Sequence, residues 1–205
     1  MIYDYLLKNF DKGEPIFLSE IPSKSKSYIR VEMKKLVDEG LLERFYNGVY
    51  YLPYRTVLGT KGKISFEKFI AKKFLYDKNS SIGYIGGLRL ANLYGFTTQN
   101  ASAYDIYSNA ASTKQRTLKI GGRTVNIYKP YTEVKSENIK ELEFLELMRD
   151  IYKYSEVDDA TIKKKLKRYI KINKIDFRKV KDLIKYYPDI VYKNIYKVGL
   201  MNELV

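Results

Sequence analysis

Asn47-Gly48 stands between two β-prone runs, Leu41 to Tyr46 and Val49 to Pro53, and it constrains the fold more than any other dipeptide in the chain. A type I′ hairpin needs positive φ at both central residues, which asparagine and glycine accept at least cost. A hairpin is expected here, and the pattern before it is regular. Ile2, Tyr5, Leu6 and Phe10 share one side of a helix over 2–9, and Lys12-Gly13-Glu14-Pro15 reads as a turn. Ile16-Phe17-Leu18 fits a short buried strand, and Ser19 is placed to cap a brief helix that Pro22 helps to end. From Ser23 to Glu39, Ile29, Met33, Leu36 and Val37 form the stripe of a helix packed on a core, which Gly40 stops. Helix, strand, short helix, long helix, hairpin is the order of a winged helix-turn-helix.

The other side of the long helix is polar. Lys24, Lys26, Ser27, Tyr28, Val31, Lys34 and Lys35 lie there, with Arg30 on the flank. Serine, tyrosine and arginine suit base edges or phosphates, Val31 suits a thymine methyl, and the lysines add charge. Arg44, Tyr46 and Asn47 are expected on the wing. Double-stranded DNA is the partner this set implies. Winged helices also serve as protein-interaction modules, in which case the same face is merely solvated.

The remainder reads as a second domain. Tyr54 to Lys63 is a connection carrying Gly59 and Gly62, and Ser65 caps a helix through Tyr76 with Phe66, Phe69, Ile70 and Phe74 inward. Asp77 to Ser81 reads as a loop, and Tyr84 to Tyr94 as a helix ended by Gly95. Its Gly86-Gly87 pair has the spacing of neither nucleotide fingerprint, which favours close packing over a phosphate cradle. Residues 103–109, 116–120 and 124–129 alternate as strands, with Gly121-Gly122 turning the last two. Lys114, Arg116, Lys119 and Arg123 gather there as a second basic patch or a solvated sheet face.

From Ser136 the pattern is helical. Ile139, Leu142, Leu145, Met148, Ile151 and Tyr152 share one face. A second helix opens near Asp158 or Asp159, with Ile162, Leu166, Tyr169 and Ile170 inward. Its outer side carries Lys163, Lys164, Lys165, Lys167, Arg168 and Lys171, for a polyanion or acidic-protein contact or for solubility alone. Asp176 opens a third helix, Pro188 interrupts it, and a last one follows. The expected class is α+β: a winged helix-turn-helix over 1–57, then over 58–205 a mixed α/β domain with a small antiparallel sheet and a helical C-terminal tail from about 136.

The formal charge of +14 favours a polyanionic partner. A chain rich in Lys, Tyr, Ile and Asn is also what an AT-rich genome supplies. The net charge is +1 over 1–57, +9 over 58–135 and +4 over 136–205, so DNA binding by the first segment rests on placement. With no Cys and no His there is no disulfide, no thiol nucleophile, no usual zinc site and no imidazole base. Carboxylate chemistry would have to come from scattered residues such as Glu67, Asp77 and Asp105, so no enzyme, metal or cofactor is expected. No apolar run approaches the roughly 18 residues of a membrane span, and the N-terminus does not read as a signal peptide. A cytoplasmic protein is expected.

Three stretches carry a family likeness. They are Ile16 to Pro22, Leu36 to Tyr51 with Gly48-Val49-Tyr50 on the return strand, and Tyr84 to Gln99 followed by Ile120 to Val125. Together with Gly95-Phe96-Thr97-Thr98-Gln99, they make the chain resemble the AbiEi antitoxins of type IV toxin–antitoxin systems. The resemblance implies a transcriptional autorepressor of an abortive-infection (phage-defence) operon, binding inverted repeats in its own promoter. It also implies a C-terminal domain that neutralises a nucleotidyltransferase toxin without a stable complex. The chain is not itself such a toxin: those need Gly-Ser followed by an Asp-x-Asp metal site, and neither motif occurs. The alternative is a winged-helix regulator with a ligand-sensing or dimerisation domain and no toxin partner.

Overall fold

The computed structural model describes residues 2–22 and 25–204, a mixed α+β chain in two compact units, Met1–Lys72 and Lys73–Val205. The first unit contains α1 (Ile2–Asn9), β1 (Ile16–Phe17), a 3-10 turn (Leu18–Glu20), α2 (Lys26–Asp38), β2 (Glu43–Tyr46), β3 (Val49–Tyr51) and α3 (Phe66–Ile70). Its sheet runs β1-β3-β2, antiparallel throughout. Leu6, Ile16, Ile29, Met33, Leu36, Leu42 and Tyr50 build the core between the helices and the sheet.

Local details depart from the expectations. Asn47-Gly48 does turn the hairpin, but only Gly48 takes a positive φ, +72°, so the turn is not type I′. A register shift between Arg44 and Tyr46 absorbs the difference as a bulge. The brief helix is a single 3-10 turn without a Ser19 cap; the Glu20 carboxylate accepts the Phe17 N–H at 2.8 Å instead. Ser25 caps α2, its Oγ accepting the Tyr28 N–H at 3.3 Å. Ser23 and Lys24 lie outside the described residues.

The first unit is also longer than the 1–57 expected. Phe69 is fully buried, with its ring centroid 6.1, 5.3 and 6.1 Å from those of Phe17, Phe45 and Tyr46. Lys72 Nζ then lies 2.8 Å from Glu14 and 2.9 Å from Glu20. The hairpin's aromatic face is covered only when 66–72 is included.

A π-helical stretch (Ala71–Leu75) spans the boundary and leads, in the second unit, into β4 (Tyr76–Asp77) and β5 (Ser80–Ser81), a small hairpin where a loop was expected. β6 (Gly83–Ile85) occupies the start of the expected helix, and α4 begins only at Gly87 (Gly87–Leu93). β7 (Ala103–Ser108), β8 (Gln115–Ile120) and β9 (Arg123–Tyr128) join β6 in the order β6-β7-β9-β8. The sheet is mixed rather than antiparallel. The β8–β9 hairpin docks through its second strand, which runs parallel to β7 because β8 returns along the outer edge.

Four helices follow, α5 (Ile139–Tyr154), α6 (Asp159–Asn173), α7 (Phe177–Ile184) and α8 (Ile190–Lys197). They are not a tail. α5 packs against α4, β6, α7 and α8, and it buries Phe144 and Leu147 in addition to the expected Leu142, Leu145, Met148 and Ile151. Tyr84, Tyr107 and Tyr128 form a row on one sheet face, with neighbouring centroids 5.2 and 4.9 Å apart. The glycine pair serves packing: a Cβ at Gly86 would stand 2.7 Å from the Tyr107 ring, and one at Gly87 (φ +62°) 2.2 Å from Asp105 Oδ2. Among the described residues no helix is long and apolar enough to cross a membrane.

Candidate nucleic-acid interface

At 100° per residue, burying Ile29, Met33 and Leu36 leaves an arc of α2 in solvent. Lys26, Ser27, Tyr28, Arg30, Val31, Lys34 and Lys35 are all exposed there. Val31 is 65 % exposed, a position where an aliphatic residue gains nothing from the core. Ser25 and Ser27 share a hydroxyl contact of 2.8 Å, and Lys35 is loosely paired with Glu39 at 3.9 Å.

Arg30, Lys34, Val37 and Asp38 form one flank of α2 and face the hairpin across a groove of about 600 Å³, closed by Leu18, Arg44, Asn47, Gly48 and Tyr50. Three cations and one carboxylate line it. Arg44 donates to Asn47 Oδ1 at 2.7 Å, which ties the guanidinium to the hairpin tip. Tyr46 does not join them: it is half-buried with its ring on Phe69, because the bulge turns it toward the aromatic cluster. Lys24 lies outside the described residues.

The second basic patch is split by the sheet. Side chains alternate along a strand, so the β8–β9 register puts Arg116 and Arg123 on the face of Val125 and Ile127, and Lys119 on the opposite one. Lys119 donates to Thr124 Oγ1 at 2.6 Å, and Arg123 donates to the Tyr104 hydroxyl at 3.2 Å. The Arg89 guanidinium stacks over the same tyrosine ring at 3.8 Å, an interaction with no sequence signal. Lys114 is exposed before β8. On α6, Lys163, Lys164, Lys167, Arg168 and Lys171 are exposed, whereas Lys165 is half-buried with its Nζ against Gly95.

Two carboxylates that the sequence did not single out are held in opposite ways. Glu156 accepts from the Thr98 N–H, the Thr98 hydroxyl and the Gln99 amide at 2.8, 2.9 and 2.9 Å, and these donors pull its pKa down to about 2. Glu146 is buried on α5, and burial pushes its pKa up to about 7 against the pull of Arg149, which it must share with Asp150. Asp105 accepts from Asn126 Nδ2 at 2.8 Å. Among the described residues, Glu67, Asp77 and Asp105 join no group of three or more acidic side chains fit to hold a metal.

A search of the chain against known protein families finds no match, and a search of curated proteins finds none either.

Proposed function

We propose that the chain binds duplex DNA through Met1–Lys72, acting as a winged helix-turn-helix, and that it is an AbiEi-type antitoxin. It would work in the cytoplasm, repress its own promoter at inverted repeats and neutralise a nucleotidyltransferase toxin. The observation that carries the DNA reading is the groove in which Arg30 and Lys34 of α2 face Arg44 and Asn47 of the hairpin. Cations on two elements suit phosphates on either side of a major groove, while Ser27, Tyr28 and Val31 are exposed for base edges. The order α1, β1, turn, α2, β2–β3 supports the same reading, with the middle helix reduced to a 3-10 turn.

The antitoxin part rests on the resemblance of Gly48-Val49-Tyr50 and Gly95 to Gln99. On this reading, neutralisation belongs to Lys73–Val205. Growth rescue tests it: the product of the adjacent gene, taken as the candidate toxin, is expressed with the full chain or with residues 73–205. Rescue by both places neutralisation in the second unit. Rescue by neither, with both proteins folded, leaves a winged-helix regulator with a sensing or dimerising domain. The DNA part is tested separately by anisotropy with the upstream promoter duplex, and equal binding to a scrambled duplex would sink the repressor role.

A further inference from the structure

The outward face of α8 repeats a Tyr-Lys pair one helical turn apart. Val191, Asn194 and Ile195 point into the core, and Asn194 Nδ2 donates to the Met148 carbonyl at 2.7 Å, which fixes the rotation of the helix about its axis. The remaining arc holds Tyr192, Lys193, Tyr196 and Lys197. Tyr196 is 74 % exposed and Tyr192 38 %. Just before the helix, Tyr186 is half exposed, with Lys185 Nζ 5.2 Å from its ring centroid. Lys163 of α6 brings its Nζ within 3.0 Å of where a Cβ on Gly199 would stand, at the end of α8, and Lys167 follows one turn on. Acidic neighbours are few: Asp189 opens the helix, and Asp159 lies 4.0 Å from Lys197. From Asp159 to Leu204 thirteen Lys and Arg stand against five Asp and Glu.

We infer that this face binds single-stranded nucleic acid, with Tyr192 and Tyr196 stacking on bases and Lys163, Lys193 and Lys197 meeting phosphates. Protein interfaces favour tyrosine but are depleted in lysine, so a protein partner accounts for only half of the pattern. Strand-binding surfaces use both, a positive track with rings set along it. In a duplex the base faces are already stacked on each other, and a side chain reaches only their edges. Residues four apart on a helix are separated by about 6 Å along its axis. That is nearly twice the roughly 3.4 Å between stacked bases, the gap left when a ring slides between them.

Anisotropy of a labelled oligothymidylate with the full chain tests the inference. Tyr196→Ala is expected to weaken binding about tenfold with an unchanged salt dependence, and Tyr196→Phe to bind like the parent. Lys193→Gln with Lys197→Gln is expected to flatten the salt slope. Arg30→Ala leaves oligothymidylate binding intact, so this surface and the promoter-binding groove fail independently. Absence of binding by the parent chain overturns the inference, as it would if the face took an acidic protein. So does a Tyr196→Ala protein that binds as tightly as the parent. Tyr196 is mostly exposed, so its truncation should leave the fold intact, and matched thermal unfolding checks that the variant is folded.

Discussion

The Glu156 carboxylate caps the turn at Thr98, taking both its N–H and its hydroxyl, while the Glu156 N–H donates back to the Phe96 carbonyl at 3.1 Å. Asn92 ties the same turn through the carbonyls of Thr97 and Gln99. The Gly95 to Gln99 segment is thereby clasped to the end of α5. A carboxylate with a depressed pKa stabilises the fold above its ordinary value near 4.5, and that contribution is lost as pH falls through about 2. Glu156→Ala is expected to unfold at lower urea than the parent at pH 6. The gap should narrow as pH drops below 4.5, and a constant gap would refute the charge-based clasp.

Glu146 works in the other direction. Its raised pKa favours the folded state fully below about 4.5, and that contribution disappears as pH rises through about 7. Glu146→Gln should therefore be at least as stable as the parent at pH 8 and should flatten the dependence of stability on pH between 5 and 8. Arg149→Met leaves Glu146 and Asp150 facing each other without their cation, and a loss of about 3–5 kcal/mol is expected. Urea melts of both variants across that range decide the matter. A Glu146→Gln protein as pH-dependent as the parent would show that another group sets the slope.

Phe69 and Lys72 determine where the first unit ends. Phe69→Ala is expected to cost about 3–5 kcal/mol, because it leaves a cavity against Phe17 and Phe45. A fragment of residues 1–72 should fold cooperatively and one of residues 1–57 should not. Circular dichroism melts of the two fragments provide the check, and equal cooperativity would return the boundary to 57.

Arg30 lines the proposed groove without an ion pair among the described residues, so its truncation should leave the fold intact. Arg30→Ala is expected to weaken promoter binding by about 1–3 kcal/mol if it reads a base, relaxing sequence preference at that position. Arg44→Ala should disorder the hairpin tip by releasing Asn47 and weaken binding more uniformly across sequences. Competition titrations with point-substituted duplexes separate the two. Unchanged affinity and preference in Arg30→Ala would remove it from the interface.

Local chemistry made much of this architecture readable. Apolar periodicity located α2, α5 and α6, because each buries one face and the spacing of that face is written along the chain. Asp158 and Asp176 opened their helices as expected, and Gly121-Gly122 turned β8 into β9, since caps and turns depend on neighbours a few residues away. The exposed face of α2 was legible for the same reason.

Long-range pairing was not. β6 and β4–β5 are too short to show a period, and the parallel pairing of β7 with β9 depends on which strand of a hairpin docks, a choice that leaves no mark in alternation. Strand alternation placed Arg116 and Lys119 on opposite faces only once the register was known. Glu156 and Thr98 are 58 residues apart, and Glu146 looks like any helical acid until the sheet closes over it. Spacing along the chain records what a residue does to its own element. Which element it meets, and whether its charge ends in water or in the core, depends on how the elements pack, and only the tertiary structure decides that.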